Sequence, residues 1–140
     1  MAFKISKVDV WAGEIADRPG ALAAKLEPLE AVGANLDFVI ARPLGERPGY
    51  GVVYVAPLKG AKQTKAAAAA GLSKSSINAL RLVGPDRPGL AATIGRCLAD
   101  AGLNIAGMSG AGVGKKAIFY VRFDSDGDVT AAKRVLAKLK

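Results

Sequence analysis

The chain has 140 residues, 51% of them hydrophobic and 23% charged, with a formal net charge of +8; this is a globular balance and not that of a disordered chain. It contains no histidine and a single cysteine, Cys97, which excludes histidine-based acid–base catalysis, histidine-ligated metal and an intrachain disulfide framework. No run of 18 apolar residues occurs, and the first ten residues carry Lys4, Lys7 and Asp9 in place of a signal-peptide core, so no membrane span is expected and the cytoplasm is the expected compartment.

Residues 5–15 alternate in part, with Val8, Val10 and Trp11 among polar residues, and predict a strand ending at Ala16. Asp17-Arg18-Pro19-Gly20 follows, with proline suited to the first position of a helix. Leu22, Leu26, Leu29 and Gly33 recur at spacings of four, three and four, the mark of one buried helix face. Pro28 should kink that helix or force a late restart, and Gly33 is a helix stop. Residues 36–41 predict a second strand, residues 43–49 a loop, and residues 50–56 a third strand. Residues 59–72 predict a helix, and residues 73–76 a linker.

The second half repeats this order. Residues 77–83 predict a strand with Leu80 and Leu82 on one face. Residues 88–101 predict a helix whose Leu90, Ile94, Leu98 and Ala101 face the core. The glycine-rich stretch 107–114 lacks the Gly-Lys-Ser/Thr ending of a phosphate loop; it reads as a flexible hairpin or a loop that admits a ligand. Residues 117–123 predict a strand, 124–128 a turn, and 129–139 a helix with Val129, Leu136 and Leu139 apolar. Cys97 reads as a core residue. Lys59, Lys62 and Lys65, with Lys133, Arg134, Lys138 and Lys140, form basic outer helix faces. Nine basic and seven acidic residues lie up to Ala70, eleven and five from Gly71 on. That excess permits an anionic partner without demanding one.

The two halves are copies. Asp17-Arg18-Pro19-Gly20 returns as Asp86-Arg87-Pro88-Gly89 at an offset of 69 residues, and at the same offset Ala23 matches Ala92, Leu29 matches Leu98, Gly33 matches Gly102 and Asn35 matches Asn104. We read an internal duplication with repeats at 1–72 and 73–140. Each repeat reads strand, helix, strand, strand, helix. The expected fold is α+β: a ferredoxin-like βαββα unit repeated twice, an antiparallel sheet of about six strands, and four helices on one face. The two opening strands are expected to pair at the centre of that sheet, which would cover both open edges and bring the two Asp-Arg-Pro-Gly turns to one interface.

The chemistry of that turn suits a free amino acid. Helix N-terminal N–H groups suit a carboxylate. Asp17 or Asp86 suits an ammonium. The amide of Asn35 or Asn104 donates to one and accepts from the other, and glycine lets a ligand approach the backbone. The same residues have plain structural uses: the aspartates as helix caps, the asparagines as turn-closers, and Pro19, Gly20, Pro88 and Gly89 as turn-formers.

Asp-Arg-Pro-Gly, a helix, and then Gly33-Ala34-Asn35-Leu36 or Gly102-Leu103-Asn104-Ile105 resembles the ACT domain, a regulatory amino-acid-binding module of biosynthetic enzymes. Both copies keep a spacing of 18 residues from the aspartate to the asparagine. The resemblance implies a ligand held between two side-by-side repeats. It implicates Asp17, Arg18, Pro19, Gly20, Asn35 and Leu36 in the first repeat and Asp86, Arg87, Pro88, Gly89, Asn104 and Ile105 in the second. It departs from the family in that neither copy shows a fourth strand after its second helix. The expected function is that of a non-catalytic sensor, without cofactor or metal, that binds an amino acid and regulates a partner enzyme, a regulator protein or its own oligomeric state; a homodimer is implied. The alternatives are an assembly domain without ligand, and an RNA-binding module, for which Phe119, Tyr120 and Phe123 come nearest to the required sheet aromatics.

Overall fold

In the computed structural model, which describes residues 3–139, the opening stretch breaks into two strands at Asp9–Val10: β1 (Lys4–Val8) and β2 (Trp11–Ala16). Helix α1 (Ala21–Glu30), β3 (Phe38–Pro43), β4 (Tyr50–Ala56) and α2 (Gly60–Ala69) follow. The short strand β5 (Ser73–Lys74) leads into β6 (Asn78–Pro85), α3 (Leu90–Asp100), β7 (Ile105–Val113), β8 (Lys116–Phe123) and α4 (Asp126–Leu136).

The α+β, ferredoxin-like βαββα order is present twice, but in two antiparallel sheets of four strands, β3-β4-β2-β5 and β1-β6-β8-β7, and not in one sheet of about six. The expected pairing of the two opening strands at the centre of one sheet occurs only through the first part of the opening stretch: β1 pairs with β6 at a sheet edge, while β2 lies in the other sheet. The fourth strands come from the ends of each repeat's sequence. In the first sheet, β5 takes the edge beside β2, with Trp11 opposite Lys74. In the second, β1 takes the edge beside β6, with Lys4 opposite Val83 and Val8 opposite Ala79. Each added strand covers the N–H and C=O groups that an edge would leave unpaired. The chain accordingly packs as two compact units: Asp9–Ser76, and the segment up to Val8 together with the residues from Ile77 on. A division at 72/73 would therefore separate β1 from the sheet that it completes.

Each unit lays both helices on one sheet face. In the second unit, Leu80 and Leu82 of β6 and Phe119, Val121 and Phe123 of β8 meet Leu90, Ile94 and Leu98 of α3 and Val129 and Leu136 of α4. Phe3, Ile5 and Cys97 pack against this cluster. Ala101, expected on the core face, lies just past the end of α3 and is exposed. In the first unit, the buried cluster is smaller: Leu29, Val53, Val55, Ala67 and Leu72, with Leu22 and Leu26 half-buried against it. Pro28 neither breaks nor restarts α1, which runs to Glu30. Its position in the last turn limits the loss to one backbone hydrogen bond, and Gly33 (φ 77°) then closes the helix, with the Ala34 N–H donating to the Leu29 carbonyl at 3.1 Å. Gly102 (φ 75°) closes α3 in the same way, with the Leu103 N–H donating to the Leu98 carbonyl at 3.0 Å.

The glycine-rich stretch is not a loop. It forms the edge strand β7, with a register shift between Ile105 and Gly107, and turns back at Gly114–Lys115.

Candidate functional site

The repeated Asp-Arg-Pro-Gly segment is a tight turn in both copies. The Ala21 N–H donates to the Arg18 carbonyl, and the Leu90 N–H to the Arg87 carbonyl, each at 3.3 Å. Between them stand proline and a left-handed glycine: Gly20 at φ 85°, ψ −15° and Gly89 at φ 79°, ψ 6°. This is a type II β-turn, with proline at its second position and glycine where positive φ is required. Pro19 and Pro88 thus precede the helix by two residues and do not occupy its first position. The helix caps are the glycines, whose carbonyls accept from the Ala24 N–H at 3.0 Å and the Thr93 N–H at 2.9 Å.

No side chain caps α1 or α3, so the aspartates are not helix caps. By contrast, Ser125 caps α4 by accepting from the Asp128 N–H at 3.1 Å. Asp17 and Asp86 are instead fixed by their backbones to the neighbouring hairpin. The Asp17 N–H donates to the Gly49 carbonyl at 3.0 Å, and the Asp86 N–H to the Lys115 carbonyl at 2.9 Å. Both aspartates, both arginines, both prolines and both glycines are exposed. Each turn therefore holds an exposed aspartate three residues before the N-cap of a helix that no side chain caps.

The asparagines lie elsewhere. In the second unit, Pro85 pairs with Lys116 and Asn78 with Phe123, while Ile105 also pairs with Phe123. Asp86 thus stands at one end of the sheet, and Asn104 and Ile105 stand at the other. The eight residues of β8 lie between, roughly 23 Å of strand. The first unit repeats this. Ala16 pairs with Tyr50, and the Asp37 N–H, beside Asn35 and Leu36, donates to the Ala56 carbonyl at 2.9 Å. Within a repeat, then, the turn and the asparagine do not converge. Asn104 is held locally: its Nδ2 donates to Asp124 Oδ2 at 3.3 Å.

Three groups that sequence patterning did not single out belong to the second turn. A concavity of about 1000 Å³ is lined by Asp86, Arg87 and Pro88 together with Lys4, Lys115 and Lys116. The lysine pair on the β7–β8 hairpin was visible as a doublet, but its place beside Asp86 depends on the β6–β8 register. Lys4 reaches the turn only because β1 joins the second sheet. The first turn has a smaller hollow of about 190 Å³, lined by Asp17, Arg18, Leu22 and Arg42 among others, and Arg42 stacks over the Tyr54 ring at 5.9 Å. The Asp86 carboxylate lies against β7, where a Cβ on Gly112 would come within 3.1 Å of its Oδ2.

Of the three aromatics nearest to those of an RNA-binding sheet, two are withdrawn into the core. Phe119 and Phe123 are buried against the helices. Tyr120 faces away from them, and its hydroxyl accepts from Arg81 Nε at 3.1 Å. Among the described residues there is no cluster of three or more metal-ligating side chains and no helix long and apolar enough to cross a membrane.

Comparison with known proteins places this geometry. Residues 78–140 match the ACT domain family. No curated protein matches the sequence. Among solved structures, a protein from Bacteroides thetaiotaomicron superposes with a TM-score of 0.75 at 17% identity, covering 98% of this chain and 99% of that one. The regulatory subunit of aspartate kinase from Thermus thermophilus, in a ligand-free form, gives 0.65 at 18% identity, covering 97% and 95%. Its counterpart from Thermus flavus gives 0.59 at 19%, covering 97% and 95%. These likenesses span both repeats and establish the fold. By sequence, residues 78–140 match the ACT domain, and the fold of the whole chain is that of these solved structures.

Proposed function

We propose that this protein is a non-catalytic regulatory sensor that binds a free amino acid through the Asp-Arg-Pro-Gly turn and relays its presence to a partner enzyme, a regulator protein or the protein's own oligomeric state. The observation that carries this reading is the repeated turn. Each copy sets an exposed aspartate, free of any capping duty, three residues before the N-cap of a helix that no side chain caps. A zwitterion needs both: the carboxylate for its ammonium, the first-turn N–H groups and helix dipole for its carboxylate.

The separation of turn and asparagine gives the reading its mechanism. A ligand that touches both Asp86 and an Asn35-type amide must be shared by two repeats, of one chain or of two, because no single repeat brings them together. Such a ligand binds the associated arrangement better than the separated one, and it shifts the population by that difference in affinity. A regulatory role is supported by the membership of residues 78–140 in the ACT family and by the tandem fold shared with aspartate kinase regulatory subunits.

A thermal-shift screen of the twenty amino acids tests this. A ligand at a hundredfold excess over its dissociation constant stabilises the folded form by about 2.7 kcal/mol. One or two amino acids should raise Tm, with the rise abolished in Asp86→Ala and Asn104→Ala. No shift with any amino acid at millimolar concentration would sink the proposal.

A further inference from the structure

The two turns are alike in sequence and backbone but not in charge. The hollow at Asp17 holds Arg18 and Arg42 against one aspartate. The concavity at Asp86 holds Lys4, Arg87, Lys115 and Lys116 against one aspartate, in roughly five times the volume, about 1000 Å³ against 190 Å³. A zwitterion carries no net charge and gives three surplus cations nothing to neutralise. Lys4, Lys115 and Lys116 form no ion pair among the described residues.

The lysines are also placed to act together. Ile5 packs into the core, so its neighbour Lys4 points to the opposite sheet face; Ala117 is buried in the core, so Lys116 points to that same face. Lys4 pairs with Val83 on one side of β6, and Lys116 pairs with Pro85 on the other. Strand spacing and rise put their Cα atoms about 12 Å apart across β6, a gap two lysine side chains can close on one anion. Lys115 stands beside them on the hairpin, its carbonyl accepting from the Asp86 N–H at 2.9 Å.

We infer that the site at Asp86 takes an acidic amino acid, a ligand with two carboxylates and one ammonium. This deepens the proposed function and rests on it. Asp86 receives the ammonium. The α-carboxylate lies toward the Arg87–Pro88 wall of the concavity. Lys4, Lys115 and Lys116 receive the side-chain carboxylate by charge-assisted hydrogen bonds. The first repeat, with its smaller and more balanced hollow, does not share this selectivity.

Isothermal titration of the full chain with L-aspartate, L-glutamate, L-asparagine, L-glutamine and succinate, at fixed ionic strength, tests the inference. Aspartate or glutamate should bind at least about tenfold more tightly than its amide. Lys4→Gln and Lys116→Gln should each remove about tenfold of that affinity without changing the unliganded Tm, whereas Arg42→Gln in the first repeat should leave it unchanged. If a neutral amino acid binds as tightly as the acidic ones, the inference is overturned while the amino-acid sensor stands. If succinate binds as tightly as aspartate, the ammonium plays no part and both readings fall. Binding of aspartate that survives both lysine substitutions also overturns the inference.

Discussion

At the scale of single residues, Gly89 and Asp86 separate shape from chemistry within one turn. Gly89 sits at φ 79°, and a Cβ placed there would meet nothing within 4 Å. The cost of Gly89→Ala is thus conformational alone, about 1–2 kcal/mol for a left-handed alanine, and urea denaturation should return that loss and no more. Asp86 is different. Its side chain caps no helix, so Asp86→Asn should leave the unliganded stability within about 0.5 kcal/mol, as for an ordinary surface change, while abolishing amino-acid binding in a calorimetric titration. A loss of 1 kcal/mol or more without ligand would instead assign the aspartate a structural duty.

At the scale of elements, the first helices of the two repeats show one design under different constraints. Helix α3 buries Leu90, Ile94 and Leu98. Leu98 is fully buried, and Leu98→Ala should cost about 2–5 kcal/mol, the range for a core leucine replaced by alanine. Helix α1 buries only Leu29 and carries an exposed Pro28 in its last turn. Proline there denies the Ala24 carbonyl its intrahelical donor. Pro28→Ala should therefore stabilise the protein, by about 1–3 kcal/mol on the helix-propensity scale, and a differential scan should show a raised Tm. A lowered Tm would mean that the proline ring makes a contact of greater value than the missing hydrogen bond.

At the scale of the whole molecule, β1 is the element whose place in the chain misleads. It opens the first repeat in sequence and completes the second repeat's sheet, where Phe3 and Ile5 pack on the core. A chain truncated before Asp9 should lose amide protection in β6 and α4, more than sixty residues away, and keep it in β3 and β4. Hydrogen exchange resolved by residue reads both outcomes, and protection lost in β3 and β4 instead would contradict the strand assignment. The first unit's core is also the smaller of the two. With fewer buried apolar side chains, α1 and α2 should exchange before α3 and α4 in the intact chain.

The sequence by itself determined the duplication, the order of elements in each copy and the two turns. Each of these is written in local terms: proline and glycine fix a turn's dihedral angles, a three-and-four spacing fixes a helix face, and the 69-residue offset repeats both. Leu80 and Leu82 on one face, and Val129, Leu136 and Leu139 in the core, were legible for the same reason. Tertiary structure alone decided which strands share a sheet, because backbone pairing is indifferent to side-chain identity along most of an edge. Nothing in residues 4–8 names β6 as their partner. Lys4 therefore joined the Asp86 site unannounced, and Asn104, 18 residues along from Asp86, came to rest at the opposite end of the sheet because an intervening helix carries the chain back along its length.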